Sequence, residues 1–206
     1  FGFGFATLIA NVKKKGLNPV SFFVKKMFWL YIIGLINTCF YYGDFLKDYA
    51  MIGLLLLFFY KTNAKTSLYI AIGLFLIYPF TGDYFGRHFS TTVTATGISL
   101  YSSHNLFYVL SYGFKEGTKE IYEVSRLLGV NLFVLACFLF GQYLQKIDFF
   151  QKIIAGEISA KKIFWTSLIS TILIAIIYNS LTHVLKIEFL KHYDIQFWLE
   201  FGLMLV

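Results

Sequence analysis

A chain of 206 residues that is 58% hydrophobic and 14% charged, with a mean hydropathy of +0.67, carries more apolar surface than one water-soluble core of that size can enclose. That excludes an ordinary soluble domain, in which roughly 25% of residues are charged, and makes lipid part of the solvent. The net charge of +7 does not point to nucleic acid, because the Lys residues fall in short patches between apolar runs; the expected partner is the bilayer, with basic loops toward anionic cytoplasmic lipids.

The chain opens on Phe1-Gly2-Phe3-Gly4-Phe5-Ala6, without Met or a charged leader, and so reads as part of a membrane helix and not as a signal peptide. It closes on an apolar run over 198–206. Both terminal segments are expected to be truncated, with the 206 residues an internal piece of a longer protein. After the Lys13-Lys14-Lys15 patch and Pro19, hydropathy predicts spans over 22–42, 45–60 and 67–80, then 127–144, 163–185 and 195–206. The expected fold is all-α, a polytopic transmembrane bundle of about six segments forming a single domain over 1–206. Residues 81–123 are mixed in character and form a long connection, in which 97–112 reads as an interfacial or re-entrant helix.

Positive charge orients these spans. If Lys13 to Lys26 faces the cytoplasm, alternation puts Lys61, Lys65, Lys146, Lys152, Lys161 and Lys162 on the same side, 11 of the 18 basic residues. The Gly43-Asp44 turn and the 81–123 connection then face outward, and the protein is assigned to the cell membrane as a multi-pass chain.

The second span is short. Tyr49 to Tyr60 covers roughly 18 Å at 1.5 Å per residue, against a hydrocarbon core of roughly 30 Å. To cross, it must draw Lys47, Asp48 and Asp44 toward the membrane, or the bilayer must thin. Asp44 and Asp48, four apart, share a helix face, and ionisable groups at that depth usually line a polar interior. One reading is an outward-opening site with Asp44 as base, proton carrier or clamp; the other is a snorkelling helix end in which Lys47 and Asp44 neutralise each other among headgroups. Asn37 lies two turns inward from Asp44, placed either to line the base of the same cavity or to bond a neighbouring helix. Arg126, before an apolar run on the same side, suits an anionic group or a carboxylate. His88 and His104 are the imidazoles in the outer connection and could act as general bases; His183 and the His192–Asp194 neighbours read as bonding and surface groups. Cys39 and Cys137 fall inside apolar runs as small hydrophobes, and no spacing recommends a metal or a bound cofactor.

The run Gly34-Leu35-Ile36-Asn37, followed by Gly43-Asp44-Phe45-Leu46-Lys47-Asp48-Tyr49-Ala50-Met51-Ile52-Gly53, resembles the YeiB-like family of multi-pass membrane proteins, a domain of unknown function distantly similar to membrane acyltransferases. The opening Phe-Gly-rich helix end, Arg126-Leu127-Leu128-Gly129 and Phe138-Leu139-Phe140-Gly141 are similar to other segments of that family in the same order. The resemblance implies Gly43, Asp44 and Tyr49 as signature positions. It departs at Asn37, where the family often has His, and an amide cannot serve as a base at neutral pH; histidine-based acyl transfer would then draw on His88 or His104.

Three functions follow from these readings. The first is transfer of an acyl group, from an acyl donor, to an envelope or surface glycan or similar polar acceptor, with Asp44, His88 and His104 catalytic and Asn37, Asp48, Tyr49 and Arg126 binding substrate. The second is transport of a small polar or anionic solute, proton-coupled through the carboxylates. The third is a non-catalytic membrane scaffold.

Overall fold

The computed structural model describes residues 1–41, 44–86, 105–121 and 130–184. All regular structure among them is helical: α1 Gly2–Lys14, α2 Pro19–Phe40, α3 Leu46–Leu56 extended by a 3-10 turn Leu57–Phe59, α4 Ala64–Gly86, α5 Leu106–Ile121, α6 Val130–Lys146, α7 Phe149–Ile154 and α8 Ala160–Val184. By Cα proximity the chain divides into two compact units, 1–147 and 148–206.

Local chemistry explains the first helix boundaries. Past the end of α1, Gly16 takes φ +70°, a conformation that only glycine adopts without a Cβ penalty. Its N–H donates to Lys13 O at 3.0 Å while Leu17 N–H donates to Val12 O at 3.2 Å, the paired bonds of a Schellman ending. Asn18 then caps α2, its Oδ1 accepting from Val20 N at 3.0 Å and Ser21 N at 3.3 Å, and Pro19 fills the first helical position, where no N–H partner is needed.

The first unit has one apolar core, to which α1 gives Phe5 and Ile9, α2 Phe23 and Met27, α3 Ile52 and Leu56, α4 Ala71, and α6 Phe138 and Leu139. Phe5 meets Phe23 edge-on at 4.5 Å, and Phe1 stacks on Phe138 at 4.4 Å. Backbones approach most closely at glycines. A Cβ on Gly2 would strike the Phe138 backbone, one on Gly141 would lie 2.9 Å from Phe3 N, and one on Gly34 would lie 2.6 Å from Lys47 N. Close approach at small residues is how helices pack when apolar burial cannot distinguish a neighbouring helix from lipid. These contacts make α1 and α6 parallel neighbours, while Gly34 against Lys47 and Met27 against Gly53 make α2 and α3 an antiparallel hairpin. Helix α4 runs antiparallel to α6, Tyr78 meeting Phe133 at 5.0 Å near one end and Ser67 meeting Lys146 at 3.4 Å near the other.

In the second unit, Asp148 adopts φ +53° ahead of the one-and-a-half-turn helix α7, and Ser159 Oγ accepts from Lys162 N at 3.4 Å at the start of α8. Many large apolar side chains of α8, among them Phe164, Ile169, Leu173 and Ile176, are exposed.

Several sequence expectations change. Helix α2 starts at Pro19 rather than 22, because the Asn18 cap nucleates it earlier. Helix α4 starts at 64 and continues through Pro79 to Gly86, so 81–86 belong to a helix and not to the connection. The helix expected over 97–112 is instead Leu106–Ile121 and takes in the charged stretch; 97–104 lie outside the described residues. So do 122–129, at the start of the fourth predicted span, and all of 195–206. Helix α7 was not anticipated. Among the described residues one helix, Pro19–Phe40, is long and apolar enough by length and composition to cross a membrane, and Ala64–Tyr78 is a shorter apolar segment.

Candidate functional site

The C-terminal half of α2 places Gly34, Asn37 and Thr38 on one face by i, i+3, i+4 spacing. Gly34 lets the α3 backbone come into contact there. Thr38 is fully buried, and its hydroxyl donates to Gly34 O at 2.7 Å, so the face buries no unsatisfied donor at that point. Asn37 Nδ2 donates to Asp44 Oδ1 at 2.8 Å, a bond that spans the α2–α3 turn.

Asp44 organises the start of α3. Its Oδ2 accepts from Leu46 N at 3.1 Å, an Asx-type turn that satisfies one of the donors left over at a helix N-terminus. Its carbonyl oxygen accepts from Lys47 Nζ at 2.7 Å. The three charged residues are all buried, with relative exposures of 8% for Asp44, 0% for Lys47 and 2% for Asp48. The positive end of the α3 dipole favours Asp48 in the first turn and disfavours Lys47; the bond to the Asp44 carbonyl offsets part of that cost.

Lys47 is wholly buried within the protein. The ammonium folds back to the Asp44 carbonyl, inside the protein. Lys47 and Asp48 both lie in the first turn of α3 and are buried there. Helix α5 packs on the same end of α2: a Cβ on Gly113 would lie 2.6 Å from Cys39 O and 2.7 Å from Thr38 O, and Gly117, one turn on, is also buried.

Asn37 and Asp44 are thus joined across the α2–α3 turn, and Asp48 is buried in the first turn of α3. Tyr49 does not join them; its ring turns to Phe138 at 5.7 Å and Phe1 at 6.4 Å, in an aromatic cluster with α1 and α6. His88, His104 and Arg126 lie outside the described residues, as do His192 and Asp194.

Sequence reasoning did not single out a second polar cluster at the opposite end of the first unit. There Lys146 Nζ donates to Thr62 O and lies 3.4 Å from both Thr62 Oγ1 and Ser67 Oγ. Thr62 and Ser67 hydroxyls are 2.8 Å apart, and Gln142 Nε2 donates to Phe59 O at 2.9 Å across the α3–α4 turn. Lys13 stands 5.2 Å above the Tyr60 ring. Burial, and secondarily the Lys13 charge, push the Lys146 ammonium below its ordinary value. The signal was present as Gln142 and Lys146, four apart at the end of an apolar helix. Lys13, Lys61 and Lys146, grouped by charge patterning, do gather at one end of the first unit.

No family model and no solved structure matches the chain. It is 34% identical over 79 residues to the uncharacterized protein YxaH of Bacillus subtilis (strain 168), a match covering 38% of this chain and 20% of that protein. It is 38% identical over 69 residues to an uncharacterized 39.9 kDa protein in the amylase 3' region of Bacillus acidopullulyticus, covering 34% of this chain and 20% of that protein. These matches span about one fifth of the length of the curated relatives.

Proposed function

We propose that this chain is part of a multi-pass cell-membrane protein of about six segments here, similar to the YeiB-like family, which transfers an acyl group to an envelope or surface glycan or another polar acceptor. The observation that carries the reading is the joint burial of Asp44, Lys47 and Asp48 at the α2–α3 turn of a chain whose exposed surface includes Phe28, Trp29, Ile33, Ile36 and Phe40 along α2. Charges inside an apolar bundle are costly, and they usually mark a site that handles polar groups. The lengths of α4, 23 residues, and α8, 25 residues, support further crossings.

In such a transfer the acceptor hydroxyl oxygen attacks the acyl carbonyl carbon, its proton passes to a base, and the donor's leaving group departs with a proton. Both carboxylate oxygens of Asp44 already accept hydrogen bonds, so Asp44 is a positioning residue that holds Asn37 and the start of α3. The base falls to His88 or His104, with Asn37, Asp48 and Arg126 on the substrate. Full-length protein in proteoliposomes, supplied with a labelled acyl thioester and glycan acceptors, tests this. Replacing the histidine that acts as base by Ala should slow transfer about 100-fold or more. Absence of labelled product from wild-type protein across a panel of donors and acceptors would sink the acyl-transfer reading.

The buried alternation of carboxylate, ammonium and carboxylate also suits proton-coupled transport of a polar or anionic solute, because such a set can exchange a proton with a bound ligand. Uptake driven by an imposed pH gradient and lost in Asp48→Asn would favour that second reading; gradient-independent uptake counts against it.

A further inference from the structure

Residues 1–43 contain five Lys and no Asp or Glu, and part of this charge borders a groove. The core-facing side of α1 carries Phe5, Ile9 and Val12; another side lines, with the start of α2, an open groove of about 450 Å³, within the roughly 300–1,000 Å³ that ligand sites occupy. Its lining is apolar at Phe3, Leu8 and Phe22 and polar at Asn11, Lys15 and Lys26. Lys26 Nζ sits 5.2 Å from the Phe22 ring centroid, so an ammonium borders the apolar wall. From Phe3 to Lys15 the helix rises roughly 18 Å, about the depth of one leaflet of a roughly 30 Å hydrocarbon core.

We propose that this groove holds an anionic phospholipid, its phosphate at Lys15, Lys26 and Asn11 and one acyl chain along Phe3 and Leu8. The inference rests on the membrane placement proposed above. Charge complementarity selects the occupant. A zwitterionic lipid would gain the apolar wall but little from two ammonium groups with no carboxylate among the described lining residues, whereas an anionic headgroup gains both.

The test uses full-length protein purified in mild detergent, titrated with phosphatidylglycerol or phosphatidylcholine and read by native mass spectrometry. Wild-type protein should prefer phosphatidylglycerol. Lys15→Gln with Lys26→Gln should reduce that preference about fivefold for each charge removed, while Lys14→Gln with Lys25→Gln, which lie off the groove, should leave it intact. A Cβ on Gly4 would meet no atom within 4 Å, so Gly4→Leu should fill the groove without disturbing the core, weakening both lipids at an unchanged melting temperature. Equal binding of the two lipids by wild-type protein, equal losses from the two lysine pairs, or lipid binding indifferent to Gly4→Leu would each overturn the proposal. Alkaline carbonate extraction separates the two levels: a protein released from membranes refutes the membrane placement, and one that is retained without lipid preference refutes the groove alone.

Discussion

Asn37 carries the bond that ties α2 to the start of α3, and its partner is a charged group, so its removal should cost more than an ordinary hydrogen bond. Asn37→Ala is expected to lower unfolding stability by about 1.5–3 kcal/mol, measured by thermal or denaturant unfolding in detergent. Asn37→Asp should cost more than the Ala variant, since it sets two carboxylates at hydrogen-bonding distance; equal losses would mean that the Asp44 link contributes nothing beyond packing. Lys146 makes a pH-dependent prediction. Its folded-state value lies below its unfolded value, so between the two the unfolded chain binds more protons and stability rises with pH. The penalty is full below the folded value and is relieved as pH climbs toward the ordinary lysine range. Lys13→Gln should lessen it by removing the secondary cause. A melting profile of wild type minus Lys146→Gln that is flat from neutral to alkaline pH would contradict this.

At the scale of elements, the α2–α3 hairpin depends on backbone contact at Gly34. There the obstructing atoms are the Lys47 N and the Leu46 carbonyl carbon, which cannot rotate away, so Gly34→Leu should separate the helices and cost about 3 kcal/mol. Gly53→Ala should be far milder, because its closest neighbour is the Met27 Sδ at 2.7 Å, the adaptable part of a flexible side chain, and Ala favours the helix. Equal losses of melting temperature in the two variants would refute the distinction. Helix α3 shows how much of an element hydropathy reveals. Its shortness was legible in the 12 residues from Tyr49 to Tyr60, and the need to draw charges inward followed from that length. That Lys47 donates to the Asp44 carbonyl was not legible, because the outcome depends on how α2 and α3 rotate against each other.

Across the whole molecule, the basic ends of α1, α3 and α6 converge through Lys13 over Tyr60 and Lys146 on Thr62, as charge patterning expects. In a protein freed of Cys39 and Cys137, cysteines at Lys61 and Ile147 should be labelled by an impermeant maleimide from one side of the membrane and a cysteine at Phe45, which is exposed, from the other. Labelling of all three from one side would overturn the topology.

The helical class, the apolar segments and the polar character of the 44–48 turn were determined by the sequence itself, since length, hydropathy and charge spacing are properties of a one-dimensional string. That Asn37, two turns inward from Asp44, could share a cavity with it was also legible. Tertiary structure alone decided that they bond directly, that Tyr49 leaves the site for an aromatic cluster, that Lys47 is buried, and that Gln142 and Lys146 close the α3–α4 turn. Each of these depends on which face of one helix meets which face of another, and glycine contacts at Gly2, Gly34 and Gly141 set those rotations; a hydropathy profile averages around the helix and loses them.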